Sequence, residues 1–157
     1  MIKFKTVGMF DVSKNDPTIK AHAEIPNGYF CTVADGKTVQ PDDAAAKGPG
    51  LKLVVKNVIG DDRYVNVPIA EGEYVVAYDL EANGSQRLIV TQEHVAADIS
   101  TLAVDGLLGV DANGKLAEIA AATGYALYFK IVAITSFGNK KAVDVEIVNA
   151  SASCVVA

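Results

Sequence analysis

The sequence predicts a mainly β protein: a compact β-barrel or β-sandwich of antiparallel strands, with an extended amino-terminal arm and at most one or two short helices. Hydrophobic and polar residues alternate with a period near two in several segments, whereas a sustained period of 3.6 is nearly absent. Turn dipeptides that contain glycine separate these segments. With 157 residues, of which 50% are hydrophobic, the chain is long enough for one substantial core.

The expected organisation is a single β-rich domain over residues 1–157. The sequence also allows a subdivision, with an amino-terminal arm and β part over residues 1–92 and a short helix plus a carboxy-terminal β part over residues 93–157. At the amino terminus, "IKFKTV" alternates as an edge strand does. The following "DVSKNDPTIKAHAEIP" contains Pro17 and Pro26 and indicates an extended arm.

Three segments carry the clearest strand patterns. "LKLVVK" at residues 51–56 and "AVDVEIV" at residues 142–148 alternate between apolar and charged side chains, which predicts strands buried on one face. "YALYFKIVAI" at residues 125–134 is apolar on both faces, which predicts a central strand covered on both sides.

Two segments are not expected to form strands. Residues 35–50, "DGKTVQPDDAAAKGPG", are rich in proline and glycine and predict a long exposed loop. Residues 91–104, "TQEHVAADISTLAV", have Thr91 as a candidate cap and apolar residues at roughly helical spacing. This segment is either a short helix or a linker between two β parts.

Four turns are expected to join strands. Asp35-Gly36, Asn83-Gly84 and Asn113-Gly114 supply the positive φ angles of tight hairpin turns, and "SFGNKK" from Ser136 predicts a longer loop between the last two strands. Around Asn83-Gly84, residues 71–90 predict a hairpin in which Tyr78 faces Ile89 and Leu80 faces Arg87. Its tyrosines, Tyr74 and Tyr78, are expected to pack against a core or a neighbouring molecule.

The charge distribution excludes several classes of partner. A net charge of −5 with only two arginines predicts no affinity for nucleic acid, since that affinity comes from clustered Lys and Arg. There is no apolar run before Asp11, so the sequence predicts no signal peptide and residence in a cytoplasm. The most hydrophobic window, residues 119–137, is interrupted by Lys130 and predicts a buried strand, not a membrane span.

No motif predicts catalysis, a cofactor or a metal. Nucleophile-elbow, dinucleotide-binding and phosphate-loop signatures are absent from the sequence, so we expect a protein that is not an enzyme. The side chains most capable of chemistry each favour a simpler interpretation: solvated loop charge, a β-turn, surface or half-buried histidines, and separately buried reduced thiols. In that order they are Asp42-Asp43 and Asp61-Asp62; Asp111 in "DANGK"; His22 and His94; Cys31 and Cys154.

Three segments together resemble a known class of protein. They are "KTVGMFDVSKNDPTIKAHAEIPNGYFCTV", "GEYVVAYD" and "GYALYFKIVAITSFGNKKAVDVEIV". In style and size, over most of the chain, they look like the small accessory head proteins of tailed bacteriophages, the decoration or cement proteins that coat a mature capsid. The resemblance carries over no site residues.

The resemblance implies a mostly β fold, often trimeric, that bridges neighbouring major capsid subunits from outside and stiffens the shell against internal DNA pressure. It implies no catalysis, and its partners are the major capsid protein and further copies of itself in a homotrimer. The protein would be made in the host cytoplasm and reside on the exterior of the virion. We expect the arm at residues 1–20 and the loop at residues 41–50 to make the lattice contacts.

Two alternatives stay open. The first is another structural virion component, such as a head fibre base or a tail or adaptor subunit. The second is a small ligand-binding β-barrel or enzyme, whose site would be assembled from scattered residues such as His22, His94, Asp61 and Tyr78.

Overall fold

The computed structural model describes residues 2–4, 15–56 and 67–150. Within these ranges the chain is mainly β, as the sequence predicts, and its only helices are single 3₁₀ turns at Ala45–Lys47, Gln92–His94 and Ile99–Thr101. The strands are β1 (Ile2–Phe4), β2 (Asn15–Lys20), β3 (Tyr29–Ala34), β4 (Lys37–Val39), β5 (Lys52–Val55), β6 (Tyr74–Asp79), β7 (Arg87–Thr91), β8 (Leu107–Val110), β9 (Leu116–Ile119), β10 (Leu127–Phe137) and β11 (Lys140–Asn149).

The strands form two sheets. Strands β2 to β6 close into a five-stranded barrel in the order β2-β4-β3-β5-β6, in which β6 pairs back onto β2. The other six strands form an open sheet in the order β1-β7-β11-β10-β8-β9. Strand pairing among the described residues is antiparallel, except for a short parallel contact between Lys20 of β2 and Lys37 of β4.

Three barrel strands, β3, β5 and β6, form a wall that the six-stranded sheet covers. Along each strand, successive side chains point alternately into the barrel and toward the sheet, as the period of a β-strand requires. The wall residues that pack inside the barrel are Tyr29, Cys31, Val54, Val75 and Ala77. Those that pack with the sheet are Phe30, Leu53, Tyr78 and the partly buried Val55 and Val76. We call these two clusters the barrel core and the interface core.

Two predictions about which strand faces are buried are wrong. Residues 51–56 are predicted to be buried on one face, but Val54 is fully buried in the barrel core and Leu53 is buried in the interface core. Strand β10 is predicted to be buried on both faces, but it is partly exposed. It is an interior strand that contributes Phe129 to the interface core, yet Lys130 and Ile134 are exposed.

Two contacts attach the barrel directly to the sheet. The rings of Phe30 in β3 and Phe129 in β10 meet edge to face, with centroids 5.3 Å apart. In the turn between β8 and β9, the carbonyl of Gly114 accepts a hydrogen bond from the Phe30 amide at 3.2 Å. Gly114 has φ +67°, and a Cβ there would overlap the Tyr29 ring and lie 2.6 Å from the Phe30 carbonyl oxygen. Only glycine fits this turn without displacing the barrel strand.

The predicted hairpin over residues 71–90 is wrong. Strand β6 pairs with β2 and β5 in the barrel, whereas β7 pairs with β1 and β11 in the sheet, so the segment between them crosses from one sheet to the other. Asn83 is buried, and its side-chain amide donates to the Asp79 carbonyl at 2.6 Å. The positive φ falls on Ser85 (+66°), not on Gly84. A side-chain hydrogen bond thus replaces the two-residue turn that the Asn-Gly dipeptide indicates.

The residues of that predicted hairpin have other partners. Arg87 lies opposite Glu146 of β11, and its guanidinium binds the buried carboxylate of Asp144 with two hydrogen bonds, 2.9 Å from Nε and 2.5 Å from Nη2. Tyr78 packs in the interface core, as expected. Tyr74 is 62% exposed, and its ring lies under the Lys20 ammonium at 4.8 Å.

The other three turns join paired strands, as predicted. Asp35 and Gly36 have φ angles of +49° and +72° and form a two-residue turn between β3 and β4. Strands β8 and β9 pair around Asn113-Gly114. Strands β10 and β11 pair up to Phe137 and Lys140, so their loop has two residues and is shorter than expected.

The segments predicted to lack strands are more ordered than expected. Residues 35–50 contain β4 and a 3₁₀ turn, and Thr38, Pro41 and Ala46 are buried. Residues 91–104 form two separate 3₁₀ turns instead of one helix. Thr91 makes no side-chain cap, whereas the Asp98 carboxylate accepts from the Ser100 amide and begins the second turn.

The described parts of the predicted arm belong to the sheets. Residues 2–4 form the edge strand β1, as the alternation predicts, and Ile2 is buried in the interface core. Residues 15–20 form β2 and close the barrel, so they are not a detached arm. Residues 5–14 lie outside the described part of the chain. No described helix is long and apolar enough to span a membrane.

Replacing Gly114 with alanine tests the attachment of the β8–β9 turn to the barrel. Gly124 is the matched control, because it also has a positive φ (+86°) but no atom lies within 4 Å of the position that a Cβ would occupy there. Gly124→Ala should cost about 1–2 kcal/mol of unfolding free energy from backbone strain alone. Gly114→Ala should cost about 1–3 kcal/mol more, because the added methyl group also overlaps β3. Urea unfolding of both variants measures the difference, and equal losses would contradict the contact.

Candidate functional site

A groove opens where the barrel meets the sheet, with a cavity volume of about 430 Å³. Small-molecule sites in proteins have volumes of about 300–1,000 Å³, so the groove is large enough for a ligand. Apolar and charged side chains alternate around it. It is lined by Glu24, Ile25, Pro26, Asn27, Pro68, Glu93, His94, Lys115 and Lys140.

Elements from both sheets position these side chains. The segment that leads into β3 supplies residues 24–27 and is held to the barrel by hydrogen bonds between Ile25 and Ile69. Glu93 and His94 lie on the 3₁₀ turn that follows β7. Lys115 lies at the end of the β8–β9 turn. The groove therefore depends on the same packing that joins barrel and sheet.

His94 is the most buried ionisable side chain of the groove, at 5% exposure. Its ring packs on the backbone of Gly28, where a Cβ would lie 3.3 Å from Cε1. Burial lowers the pKa of His94 to about 3; the Lys115 and Lys140 ammonium groups act in the same direction and Glu93 opposes them. The imidazole is therefore neutral at physiological pH.

The ring of His94 makes no hydrogen bond within the part of the chain that the structure describes. Among the same residues, no fully buried side-chain nitrogen or oxygen lacks a partner. The ring nitrogens of His94 therefore keep contact with the solvent of the groove. A neutral imidazole of this kind offers one N–H donor and one acceptor nitrogen to a ligand.

The two lysines of the groove differ in their pairing. The Lys140 ammonium binds Glu93 Oε1 at 2.7 Å. Burial opposes ionisation of Glu93, but the hydrogen bonds that it accepts, including the one from Lys140, outweigh burial and hold the pKa of the Glu93 carboxyl well below its usual range. Lys115 is half-buried, and its ammonium forms no ion pair with any described residue. Lys115 thus supplies a positive charge that the described residues leave unbalanced.

The groove contains His94 but not the other residues of the scattered site considered above. His22 lies beside the barrel, where its Nδ1 is 2.7 Å from the Thr38 hydroxyl. Tyr78 is buried in the interface core, and Asp61 lies outside the described residues. The described residues contain no group of three or more His, Cys, Asp or Glu side chains that could hold a metal ion.

The remaining acidic candidates have local structural roles where they are described. Asp42 and Asp43 are exposed, and the Asp42 carboxylate accepts from the Ala45 amide at 2.7 Å. Asp111 accepts from the amides of Asn113 and Lys115, which confirms the predicted turn. Asp62 lies outside the described residues.

Of the two cysteines, Cys31 is a buried free thiol in the barrel core. Burial raises its pKa to about 12. Cys31 is therefore a packing residue and not a reactive thiol. Cys154 lies outside the described residues.

The sequence singles out His94 but not its neighbours in the groove. Glu93, Lys115 and Lys140 come from three separate parts of the chain, and no sequence spacing connects them. By its sequence alone, Lys140 belongs to the predicted loop between the last two strands. No protein-family model, curated protein or solved structure matches this chain.

The buried neutral His94 predicts that stability falls in mild acid. Between pH 3 and 6.5 the unfolded chain binds a proton on His94 that the folded chain does not, so unfolding becomes easier as the pH falls below 6.5. The expected loss between pH 7 and pH 5 is about 2 kcal/mol of unfolding free energy. Urea unfolding at these two pH values measures it.

Two glutamine variants isolate the contribution of His94 to this loss. His94→Gln should remove most of the difference between pH 7 and pH 5, whatever its effect on stability at pH 7. His22→Gln is the control and should retain the difference. A loss that persists unchanged in His94→Gln would assign the acid sensitivity to other groups.

Proposed function

We propose that this chain is a structural virion protein that binds the outside of a bacteriophage capsid and stabilises the shell by bridging major capsid subunits. The proposal starts from the resemblance of residues 5–33, 72–79 and 124–148 to decoration proteins. One structural observation carries it further: among the described residues, the outer part of β10 has no strand on one side, and a strand of a shell subunit can add there.

The open edge comprises residues 132–136. Strand β8 pairs with β10 only at Phe129 and Lys130, and the last backbone contacts on that side join Ile131 to Asp105 and Gly106. Beyond this point β10 continues to Phe137, and no described strand pairs with residues 132–136 on that side. An edge of five residues is long enough for a strand of another chain.

The pairing pattern determines which backbone groups face the open edge. A two-residue turn makes Phe137 and Lys140 a hydrogen-bonded pair of the antiparallel ladder. Because such pairs alternate, the backbone groups of Ser136 and Ile134 point away from β11 and toward the open edge. The Ile134 side chain is 41% exposed and offers an apolar contact beside these groups.

Strand β11, which pairs with β10 on the side away from the open edge, is anchored by side-chain contacts. Lys140 binds Glu93 and Lys141 binds Asp98 at 3.0 Å, so the start of β11 is attached to both 3₁₀ turns after β7. A prearranged edge loses little conformational entropy when a partner binds. Each contact would be modest in energy, but a subunit that grips several neighbours on a lattice binds with the combined strength of its contacts.

The copy number of this chain in virus particles tests the proposed role. If the chain decorates the whole shell, purified particles from its source should contain about one copy for each major shell subunit or for every few of them. Quantitative mass spectrometry against the most abundant shell protein measures this ratio. A handful of copies would favour a vertex or tail component instead, and complete absence would contradict a virion role.

The second prediction concerns the open edge. Truncation of residues 1–20 would delete β2 from the barrel, so a substitution in the edge is the sharper test. Ser136→Pro removes an edge-facing N–H and should weaken binding to shells stripped of this chain by about tenfold or more. Ser136→Ala keeps the N–H and should bind as the unaltered chain does.

Circular dichroism and thermal unfolding of both Ser136 variants check that the β fold is retained, since proline is tolerated at strand edges. Equal binding by folded Ser136→Pro and Ser136→Ala would exclude strand addition at residues 132–136 as the means of attachment.

A further inference from the structure

The groove between barrel and sheet contains two polar groups that nothing in the described protein satisfies. His94 is only 5% exposed, yet its ring nitrogens have no hydrogen-bond partner among the described residues and reach the groove. Lys115 supplies an ammonium without an ion pair there. A buried polar side chain left in this state is costly unless a water or a ligand bonds to it.

The charges around the imidazole favour an anion. The ammonium groups of Lys115 and Lys140 both act on the ring electrostatically, and Glu93 is the one acidic group that counteracts them there. The charge of Glu93 is already matched by Lys140 at 2.7 Å. Glu24 is exposed on the groove lining, where water screens its charge. Among the described residues of the groove, the positive charge of Lys115 is the one that no carboxylate matches.

The size of that charge and the apolar residues on the groove lining indicate the kind of anion. The described residues leave one ammonium unpaired, which suits a monoanion, whereas a dianionic phosphate would also meet Glu93 and Glu24. A carboxylate has two acceptor oxygens, so it can receive one hydrogen bond from Lys115 and one from the imidazole N–H. Ile25, Pro26 and Pro68 line the same groove and suit an apolar substituent.

We propose that this groove is a binding site for a carboxylate that bears a short apolar chain, held between the Lys115 ammonium and the His94 imidazole. The carboxylate belongs either to a free organic acid or to an acidic side chain of another protein. The site does not depend on the capsid role, because it uses neither the open β10 edge nor any shell contact.

A titration followed by NMR tests the site with three probes. They are 4-methylpentanoate, N-acetylglutamic acid amide as a mimic of an acidic side chain, and 4-methylpentanamide as a neutral control of the same shape. The carboxylates should shift the His94 ring and Lys115 side-chain signals saturably at constant ionic strength, whereas the neutral amide should not. If only 4-methylpentanoate binds, the ligand of the groove is a free organic acid. If the glutamic acid derivative binds as well, the ligand is an acidic side chain of another protein.

Matched variants connect binding to the named groups. Lys115→Met keeps most of the aliphatic stem and should weaken carboxylate binding about tenfold or more, because a charge-assisted hydrogen bond is lost. Lys37→Met, on the exposed β3–β4 hairpin, removes the same charge elsewhere and should bind normally. His94→Gln should weaken binding too, and its folded state is checked by the same spectra.

Three results would overturn the assignment. Signal shifts that grow linearly with probe concentration without saturating, as a chloride titration would give, would show that no site exists. Equal binding of 4-methylpentanoate and its amide would show that the carboxylate is not recognised. Unchanged binding by Lys115→Met, or tighter binding of inorganic phosphate than of 4-methylpentanoate, would show that the charge argument is wrong. None of these results depends on whether the protein binds a shell.

Discussion

The structure depends on a barrel wall that is buried on both faces. Strands β3, β5 and β6 supply side chains to the barrel core and the interface core at once, so both faces of the wall carry buried side chains. The side chains of each strand alternate strictly between the two cores. This alternation determines the pairing register, because a shift of one residue would exchange every side chain between the two cores. Barrel closure satisfies the backbone of these strands, and the six-stranded sheet covers their outer surface. The two sheets therefore stabilise one another.

The groove follows from this packing. A curved barrel wall against an open sheet leaves space at the rim, and loops from both sheets line it. Gly28, with φ +93° and no side chain, allows the His94 ring to approach the barrel backbone closely. The turn that carries Gly114 presses on Tyr29 and places Lys115 next to the same space. Contacts that join the sheets thus also place an imidazole and an ammonium on the lining of one groove.

The open edge has a different origin, which is a mismatch in strand length. Strand β10 has eleven residues, whereas its neighbour β8 has four, so part of β10 extends beyond the sheet. A bulge between Ile131 and Ala133 marks the place where β10 leaves β8. The partner strand β11 is positioned by its pairing with β7, and Lys140 and Lys141 add ion pairs to Glu93 and Asp98. The groove and the edge are consequently separate features that can be tested independently.

The sequence by itself determined the β class, the strand β10, and the turns at Asp35-Gly36 and Asn113-Gly114, because alternation and left-handed turn residues are local properties. It indicated the wrong partner for β6, since Asn83-Gly84 is compatible with a hairpin and only long-range pairing decides which strand lies alongside. It could identify His94 but not Lys115 and Lys140 beside it. Which faces are buried twice, and which distant charges share a groove, were decided by tertiary packing, because both depend on contacts between residues far apart in the chain.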